Sequence, residues 1–288
     1  MIEPLIEHRL RLAGYETRVL ELEGDGVPVI MFHGYADSAD TWRHVLARLA
    51  RRGHRAMAFD LPGFGTADEL TPDAILPQLD AFAAAALRYA GGRSGAPVLA
   101  MGNSLGGCVS LRLAERRGSK LAGVVAVAPA GLMMSRLLYL VQRDPLLKSL
   151  LALPAPVPGA VLRAAVARLY VQLAFASPRS IDPGVISAFT YHHRHRAKVA
   201  SYLDIAQRLI PELRSPFELG RITAPVLLVW GDRDRLVFHK GAERVLSEVP
   251  GSRLELLEGV GHCPQVEAPQ RLIELLLAFC DERDAAAA

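Results

Sequence analysis

The sequence predicts an α/β fold with a mostly parallel central sheet, helices on both faces and an inserted all-helical cap. Short apolar runs alternate with helical stretches up to residue 129 and again after residue 216, which is typical of parallel strands joined by helices. Residues 130–216 break that rhythm. With 51% hydrophobic and 22% charged residues, the 288-residue chain has ample material for a core. We therefore expect an α/β-type core domain from residues 1–129 and 217–288, and a helical cap from residues 130–216.

The strands follow from the spacing of apolar residues. Residues 15–23 alternate with period two, whereas residues 27–32 form a continuous apolar run, which is typical of a strand buried on both faces. Further strands are predicted at 54–59, 97–101, 121–128, 225–230 and 252–257.

The helices follow from apolar residues at helical spacing. Residues 41–52 show this spacing, with Asp40 or Thr41 as the candidate N-cap. Further helices are predicted at 72–90, 105–117, 240–249 and 264–280.

The middle segment, residues 130–216, contains several prolines and no clear strand, so short helices are predicted there. It is too apolar for a linker and too long for a loop. Two interpretations stay open: helices that only pack on the core, or a cap that supplies an apolar pocket. The apolar residues available for that pocket are Leu132, Met133, Met134, Leu137, Leu138, Leu146, Leu147, Leu150, Leu151, Val166, Leu169 and Phe175.

Charge and cysteine content favour a soluble cytoplasmic protein. The net charge is +3 and the basic residues are scattered, so nucleic acid is not an expected partner. The cluster at residues 192–196 is interpreted as a solvated helix face, with an anionic-ligand or membrane-surface patch as the alternative, and its histidines lack metal-site spacing. No signal peptide or run of transmembrane length is visible. An odd count of three cysteines indicates a reducing compartment.

Residues 102–106 read Gly-Asn-Ser-Leu-Gly between an apolar run and a helical stretch. This is the Gly-x-Ser-x-Gly pattern of a sharp strand-to-helix turn that exposes one serine. Glycines are needed because the turn leaves no room for side chains on either side of the serine. The pattern makes Ser104 the candidate nucleophile, with the N-terminus of the following helix aimed at it.

A serine needs a base, and the base needs an acid that orients it. His262 is the candidate base, because it follows the last predicted strand in a glycine-rich loop before the final helix. Asp232 and Asp234 both follow the strand at 225–230. Asp234 is favoured because it lies further into the loop, whereas Asp232 suits a turn.

The third element is His33-Gly34-Tyr35, directly after a buried strand. Gly34 allows the backbone close to a reacting carbonyl, so the backbone N–H groups of Tyr35 and Leu105 are the candidate oxyanion hole. His33 is expected to orient this loop by hydrogen bonding. Residues 60–65 lack the Gly-Lys-Ser/Thr of a phosphate-binding loop and are interpreted as a structural turn.

Taken in order, these motifs resemble the α/β-hydrolase superfamily, in the branch of esterase- and lipase-like serine hydrolases with a helical cap. The landmarks are His33-Gly34, the turn at 60–65, the glycine-flanked serine at 102–107, residues 231–237 and Gly261-His262. The resemblance implies a nucleophile, acid and base at Ser104, Asp234 and His262, with Tyr35 and Leu105 as oxyanion donors.

Departures from related activities narrow the function. Haloalkane dehalogenases and epoxide hydrolases of this fold use aspartate as the nucleophile, whereas here it is Ser104. Meta-cleavage-product hydrolases share Gly-Asn-Ser but usually carry tryptophan after the catalytic histidine, where this chain has Cys263. Carbon–carbon hydrolysis of that type, a cofactor-free haloperoxidase or perhydrolase, and a ligand-binding protein on the same scaffold remain the alternatives.

The expected function is cleavage of carboxylic or thio esters of hydrophobic acyl groups through an acyl-enzyme, as in a carboxylesterase or monoacylglycerol lipase. The expected partner is a small hydrophobic ester, with neither nucleic acid nor an integral membrane segment involved. No cofactor or metal is expected, and the protein is expected to be a monomer or homodimer.

Overall fold

A computed structural model describes residues 5–136, 168, 171–181 and 196–287 of the chain. Its centre is an eight-stranded sheet. The strands are β1 (Ile6–Leu12), β2 (Tyr15–Leu22), β3 (Val29–Phe32), β4 (Ala56–Phe59), β5 (Val98–Asn103), β6 (Leu121–Val127), β7 (Val226–Gly231) and β8 (Arg253–Leu257). Their order across the sheet is β1-β2-β4-β3-β5-β6-β7-β8.

The sheet is parallel from β4 through β3 to β8, whereas β2 runs antiparallel to both β1 and β4. No strand was expected before residue 15, so β1 is a correction to the sequence-based assignment. It forms a hairpin with β2 through a turn at Ala13 and Gly14, which have φ of 51° and 91°. β1 escapes pattern recognition because it is an edge strand whose residues are largely exposed or half-buried.

Seven α-helices have both ends within the described part of the chain, and residues 171–174 are helical as well. The seven are α1 (Arg43–Ala50), α2 (Ile75–Ser94), α3 (Leu105–Glu115), α4 (Arg196–Glu212), α5 (Ala242–Glu248), α6 (Pro264–Glu267) and α7 (Pro269–Ala287). None of the described helices combines the length and apolar composition that crossing a membrane requires.

Two helix boundaries differ from the expectation. A short 3-10 helix, Ala39–Trp42, precedes α1, and its N-cap is Ser38, whose hydroxyl accepts from the Asp40 N–H. Neither Asp40 nor Thr41 is therefore the cap. The closing helix is interrupted at Ala268, which has φ of −139° and ψ of 49°. The interruption arises because Pro269 disfavours the helical conformation of the residue before it.

Both faces of the sheet are covered, which confirms the predicted fold class for the core. Alternate residues of β3 point to opposite faces: Ile30 and Phe32 join the core under α2 and α3, whereas Met31 packs with Trp42 and Leu276 under α1 and α7. The carboxyl ends of the parallel strands meet at one edge, which is where ligands bind in such sheets.

The predicted cap at residues 130–216 is described at 130–136, 168, 171–181 and 196–216. Helix α4 buries Tyr202, Ile205 and Leu209 in the same core as α2. Phe175 is buried against Cys263. The pocket residues Leu137, Leu138, Leu146, Leu147, Leu150, Leu151, Val166 and Leu169 lie outside the described residues, as does most of the basic cluster at 192–196. The division into core and cap stays a prediction.

Candidate active site

The turn between β5 and α3, residues 102–106, is called the elbow below. Ser104 lies at its tip with φ of 55° and ψ of −113°, a backbone conformation that L residues rarely adopt. A Cβ on Gly102 would lie 2.1 Å from the Gly106 carbonyl oxygen, and one on Gly106 would lie 2.0 Å from that of Phe32. Both glycines are therefore sterically required. The Ser104 N–H donates to the Val127 carbonyl at 2.9 Å, which ties the strained residue to β6.

His262 and Asp234 are in direct contact. His262 Nδ1 lies 2.7 Å from Asp234 Oδ2, and the two side chains are only 4% and 1% exposed. The other carboxylate oxygen, Oδ1, accepts from the backbone N–H groups of Leu236 and Val237 at 2.8 and 3.0 Å. Since a carboxylate only accepts, we assign the proton to Nδ1 of His262, which leaves Nε2 with its lone pair.

Asp232 has a different partner. Its Oδ1 accepts from the Gly259 N–H at 2.7 Å, so it braces the start of the loop that carries His262. This loop, residues 258–263, is called the His262 loop below. The structure therefore brings Asp234, rather than Asp232, to the histidine.

Glu267 and Asn103 also hold the His262 loop, and the sequence reasoning missed both. The Glu267 carboxylate accepts from the N–H groups of Gly261 and Ala176 at 2.9 and 2.8 Å, and burial raises its pKa. Asn103 Nδ2 donates to the His262 carbonyl at 2.9 Å, which joins the elbow to the His262 loop. In the sequence, only their positions could have indicated these roles: Glu267 lies five residues after His262, and Asn103 directly precedes Ser104.

The segment after β3, residues 33–38, lies against the elbow and is called the 33–38 loop below. A Cβ on Gly34 would lie 3.4 Å from Ser104 Cβ, so the backbone of this loop passes close to the serine. Buried His33 donates from Nδ1 to the Gly34 carbonyl at 2.7 Å and accepts at Nε2 from the Leu61 N–H at 2.9 Å. His33 thus connects the 33–38 loop to the turn after β4.

Tyr35 is anchored through its side chain. Its hydroxyl donates to the Tyr202 carbonyl of α4, and its ring meets that of Phe64 edge-on with centroids 5.5 Å apart. Burial raises the pKa of the Tyr35 hydroxyl, and the nearby Tyr202 raises it further. These contacts fix the backbone of Tyr35, which directly follows Gly34 and carries the first candidate oxyanion N–H.

Asp60 organises the turn at residues 60–65. Its carboxylate accepts from Arg18 Nε at 3.1 Å and from the N–H groups of Ala39 and Thr66, both at 2.8 Å. Burial alone would raise its pKa, but the charge and hydrogen bonds of Arg18 hold the pKa of Asp60 below its ordinary value. An ionised carboxylate at its centre makes this turn a poor phosphate site, in line with a structural role.

Cys263 follows His262 but lacks the properties of a nucleophile. It is 1% exposed and packs against Phe175 and Val266. Burial raises the pKa of its thiol well above the ordinary value, whereas a reactive cysteine needs a lowered pKa and access to solvent. Over the ranges 5–136, 171–181 and 196–287, no group of three or more His, Cys, Asp or Glu side chains is arranged to hold a metal ion.

Comparison with known proteins identifies the family. A model of the alpha/beta hydrolase family matches residues 29–275, and because this is most of the sequence, the chain belongs to that family. The resemblance to the α/β-hydrolase superfamily noted from the motifs is thereby confirmed.

Individual relatives are distant. A 2-hydroxy-6-oxo-6-(2'-aminophenyl)hexa-2,4-dienoic acid hydrolase of Metapseudomonas resinovorans is 27% identical over 96% of this chain and 92% of its own length. The monoacylglycerol lipase ABHD6 of Bos taurus is 26% identical over 87% of this chain and 74% of its own length. Among solved structures, an alpha/beta hydrolase fold protein from Burkholderia ambifaria has a TM-score of 0.78 at 23% identity, covering 96% of this chain and 99% of that one.

Proposed function

We propose that this alpha/beta hydrolase is a serine hydrolase that cleaves carboxylic or thio esters of hydrophobic acyl groups through a covalent acyl-enzyme. One observation carries the proposal. His262, hydrogen-bonded at 2.7 Å to the buried Asp234, is joined through Asn103 to the strained elbow that presents Ser104. Nucleophile, base and acid in this arrangement are what acyl transfer requires.

In the proposed reaction, Ser104 Oγ attacks the ester carbonyl carbon while His262 Nε2 takes the hydroxyl proton. Asp234 stabilises the imidazolium that forms. His262 then gives the proton to the leaving alcohol or thiol as the bond between carbonyl carbon and leaving group breaks. Water, deprotonated by His262, then attacks the acyl carbon, the bond from that carbon to Ser104 Oγ breaks with release of the carboxylic acid, and His262 returns the proton to Ser104.

The oxyanion that develops in each step needs donors already in place. We assign this role to the backbone N–H groups of Tyr35 and Leu105. The close approach of Gly34 to Ser104 supports the first donor. The second belongs to the first residue of α3, whose N–H points out of the helix N-terminus. A donor of this kind lowers the barrier by about 3–4 kcal/mol.

A carbon–carbon hydrolase is the second candidate. The 27% identity with a hexadienoic acid hydrolase over nearly the whole chain favours it, as does the shared Gly-Asn-Ser around the nucleophile. Against it, Cys263 is a small, buried residue where such hydrolases usually carry tryptophan. Ester hydrolysis therefore remains the preferred proposal.

The substrate is proposed to be a small hydrophobic ester, taken from a cytoplasmic pool by a monomer or homodimer. Cys108, Cys263 and Cys280 are all buried and free, which fits a reducing compartment. The mechanism needs no cofactor or metal, because the chain itself supplies the nucleophile, base, acid and donors.

A fluorophosphonate probe tests the proposal directly. We expect it to label Ser104 in the wild type and to leave Ser104→Ala unlabelled, with ester turnover falling by several orders of magnitude. Ser110→Ala is the matched control, because Ser110 is a buried serine six residues further along whose Oγ bonds the Gly106 carbonyl. Labelling at another residue would contradict the proposal. Faster turnover of a vinylogous diketone than of p-nitrophenyl esters would favour the second candidate.

A further inference from the structure

Gln265 is a buried polar residue that the proposed reaction does not use. It lies in α6, three residues after His262, and is 0% exposed. A side chain this polar is rarely buried whole unless specific partners hold it, and in the described part of the chain those partners bond its amide nitrogen and not its Oε1. Its amide nitrogen donates to Thr41 Oγ1 at 3.2 Å and to Asn103 Oδ1 at 3.1 Å. Both amide hydrogens are therefore directed at segments far from α6 in the sequence.

The orientation of this amide is set by its neighbours. Asn103 Nδ2 faces the carbonyl oxygens of Val127 and His262, at 3.3 and 2.9 Å. Carbonyl oxygens only accept, so this end of Asn103 must be its NH₂ group and the end toward Gln265 must be its oxygen. Gln265 therefore has to present its own NH₂ group.

Thr41 extends the network to the 33–38 loop. Its hydroxyl accepts from Gln265, and its backbone N–H donates to the carbonyl of Ser38, the last residue of that loop, at 3.2 Å. Gln265, just after the His262 loop, thus joins the elbow to the short helix that follows the 33–38 loop, and the elbow is in turn bonded to the His262 carbonyl. The elbow, the His262 loop and the 33–38 loop carry the proposed nucleophile, base and first oxyanion donor.

We propose that Gln265 is a positioning residue, whose two amide hydrogen bonds hold the His262 loop in register with the elbow and the 33–38 loop. This inference rests on the proposed function. Loss of both donors leaves Asn103 Oδ1 and Thr41 short of a partner in a dry interior, so the loops they belong to shift to find new ones. Catalysis is sensitive to such shifts, since a displacement of about 1 Å can lower the rate about 100-fold.

Gln265→Met is the main test, because methionine has a similar length and no donors. We expect kcat to fall by about tenfold or more and KM to change by less than about threefold. The rate of fluorophosphonate labelling at Ser104 should fall by the same factor as kcat. Thr41→Val, which removes one link without changing shape, should lower kcat in the same direction by a smaller factor. Ser110→Ala should keep kcat within about twofold, because that lost bond lies within α3.

Two further measurements separate positioning from simple destabilisation. The acid limb of the pH profile of kcat/KM should move in Gln265→Met, since a displaced His262 loop alters the contact with Asp234. The rate at which the fluorophosphonate labels Ser104 in Gln265→Met should also stay below that of the wild type after it is divided by the folded fraction, which circular dichroism gives. A variant that is merely less stable would show the wild-type midpoint for the acid limb of kcat/KM and the wild-type labelling rate per folded molecule.

The outcomes are distinct. Failure of the wild type to label at Ser104 would overturn the proposed function. If the wild type labels at Ser104 but the kcat of Gln265→Met is no lower than that of Ser110→Ala, only the positioning role is overturned. If Gln265→Met does not fold, Thr41→Val decides, and wild-type kcat and pH profile in that variant would refute the inference.

Discussion

Replacing Asp234 with asparagine changes one atom of the site and reverses the hydrogen bonding to His262. Asp234 Oδ1 accepts from two backbone N–H groups, those of Leu236 and Val237. An asparagine keeps these bonds by placing its oxygen there, so its NH₂ group faces His262 Nδ1. Nδ1 must then accept, and the proton moves to Nε2, the atom that should take the proton of Ser104. The variant keeps the shape of the site and loses its base.

The expected magnitude follows from the loss of the correct tautomer. In the general template for this kind of triad, the same substitution lowers turnover by about 10⁴-fold, which corresponds to about 5.5 kcal/mol of transition-state stabilisation. Burial supports a loss of this size, because the His262 and Asp234 side chains are only 4% and 1% exposed and water cannot replace the carboxylate. Stability should change little, since the two backbone bonds persist.

Asp232→Asn is the matched control. Asp232 Oδ1 accepts from the Gly259 N–H, and an asparagine oxygen can accept the same bond, so turnover should stay within about threefold of wild type. The assay is kcat for p-nitrophenyl butyrate, with unfolding midpoints measured on the same samples. Equal losses in the two variants, or a larger loss for Asp232→Asn, would refute the assignment of Asp234 as the acid.

Further predictions address stability and specificity. Burial raises the pKa of Asp37 to about 8 from an ordinary 3.8, so the folded state holds a proton that the unfolded state releases, and stability falls as pH rises between these values by up to about 1.4 kcal/mol per unit. Asp37→Asn should remove this dependence, measured as the difference in the free energy of unfolding between urea titrations at pH 5 and pH 8. An unchanged difference would show that the raised pKa does not belong to Asp37. Gly106→Ala should abolish soluble, active protein, because the new Cβ would lie 2.0 Å from the Phe32 carbonyl oxygen, whereas Gly92→Ala, with nothing within 4 Å of its Cβ, should stabilise α2 by about 0.5–1 kcal/mol. Thermal melts and activity assays of both variants test this. An active Gly106→Ala variant would contradict the steric argument. Along a series of p-nitrophenyl esters, kcat/KM should rise severalfold from acetate to medium chains, since each buried methylene contributes up to about 0.8 kcal/mol; a steady fall from acetate onward would rule out an apolar acyl pocket.

Elements with a strong internal pattern could be predicted from the sequence, and those defined by their neighbours could not. The continuous apolar runs at β3 and β5 identify strands buried on both faces, because only a central position conceals every side chain. The edge strand β1 carries no such pattern, since its side chains are mostly in contact with water. The direction of β2 was not predictable either, because alternation with period two is the same in parallel and antiparallel strands.

The site divides in the same way. The sequence alone predicted the elbow from its Gly-x-Ser-x-Gly pattern, and the steric demand on Gly102 acts within that turn, because its Cβ would meet the Gly106 carbonyl. The demand on Gly106 comes from the Phe32 carbonyl of β3, so its cause is visible only in the tertiary structure. The sequence favoured Asp234 over Asp232, but only the tertiary structure shows which of them contacts His262, since that contact joins positions 28 residues apart and depends on how two loops leave the sheet. The role of Gln265 was equally hidden: its bond to Asn103 spans 162 residues. A hydrogen bond across that distance leaves no periodicity in the chain, because its energy depends on geometry that exists only after the sheet has brought the loops to one edge.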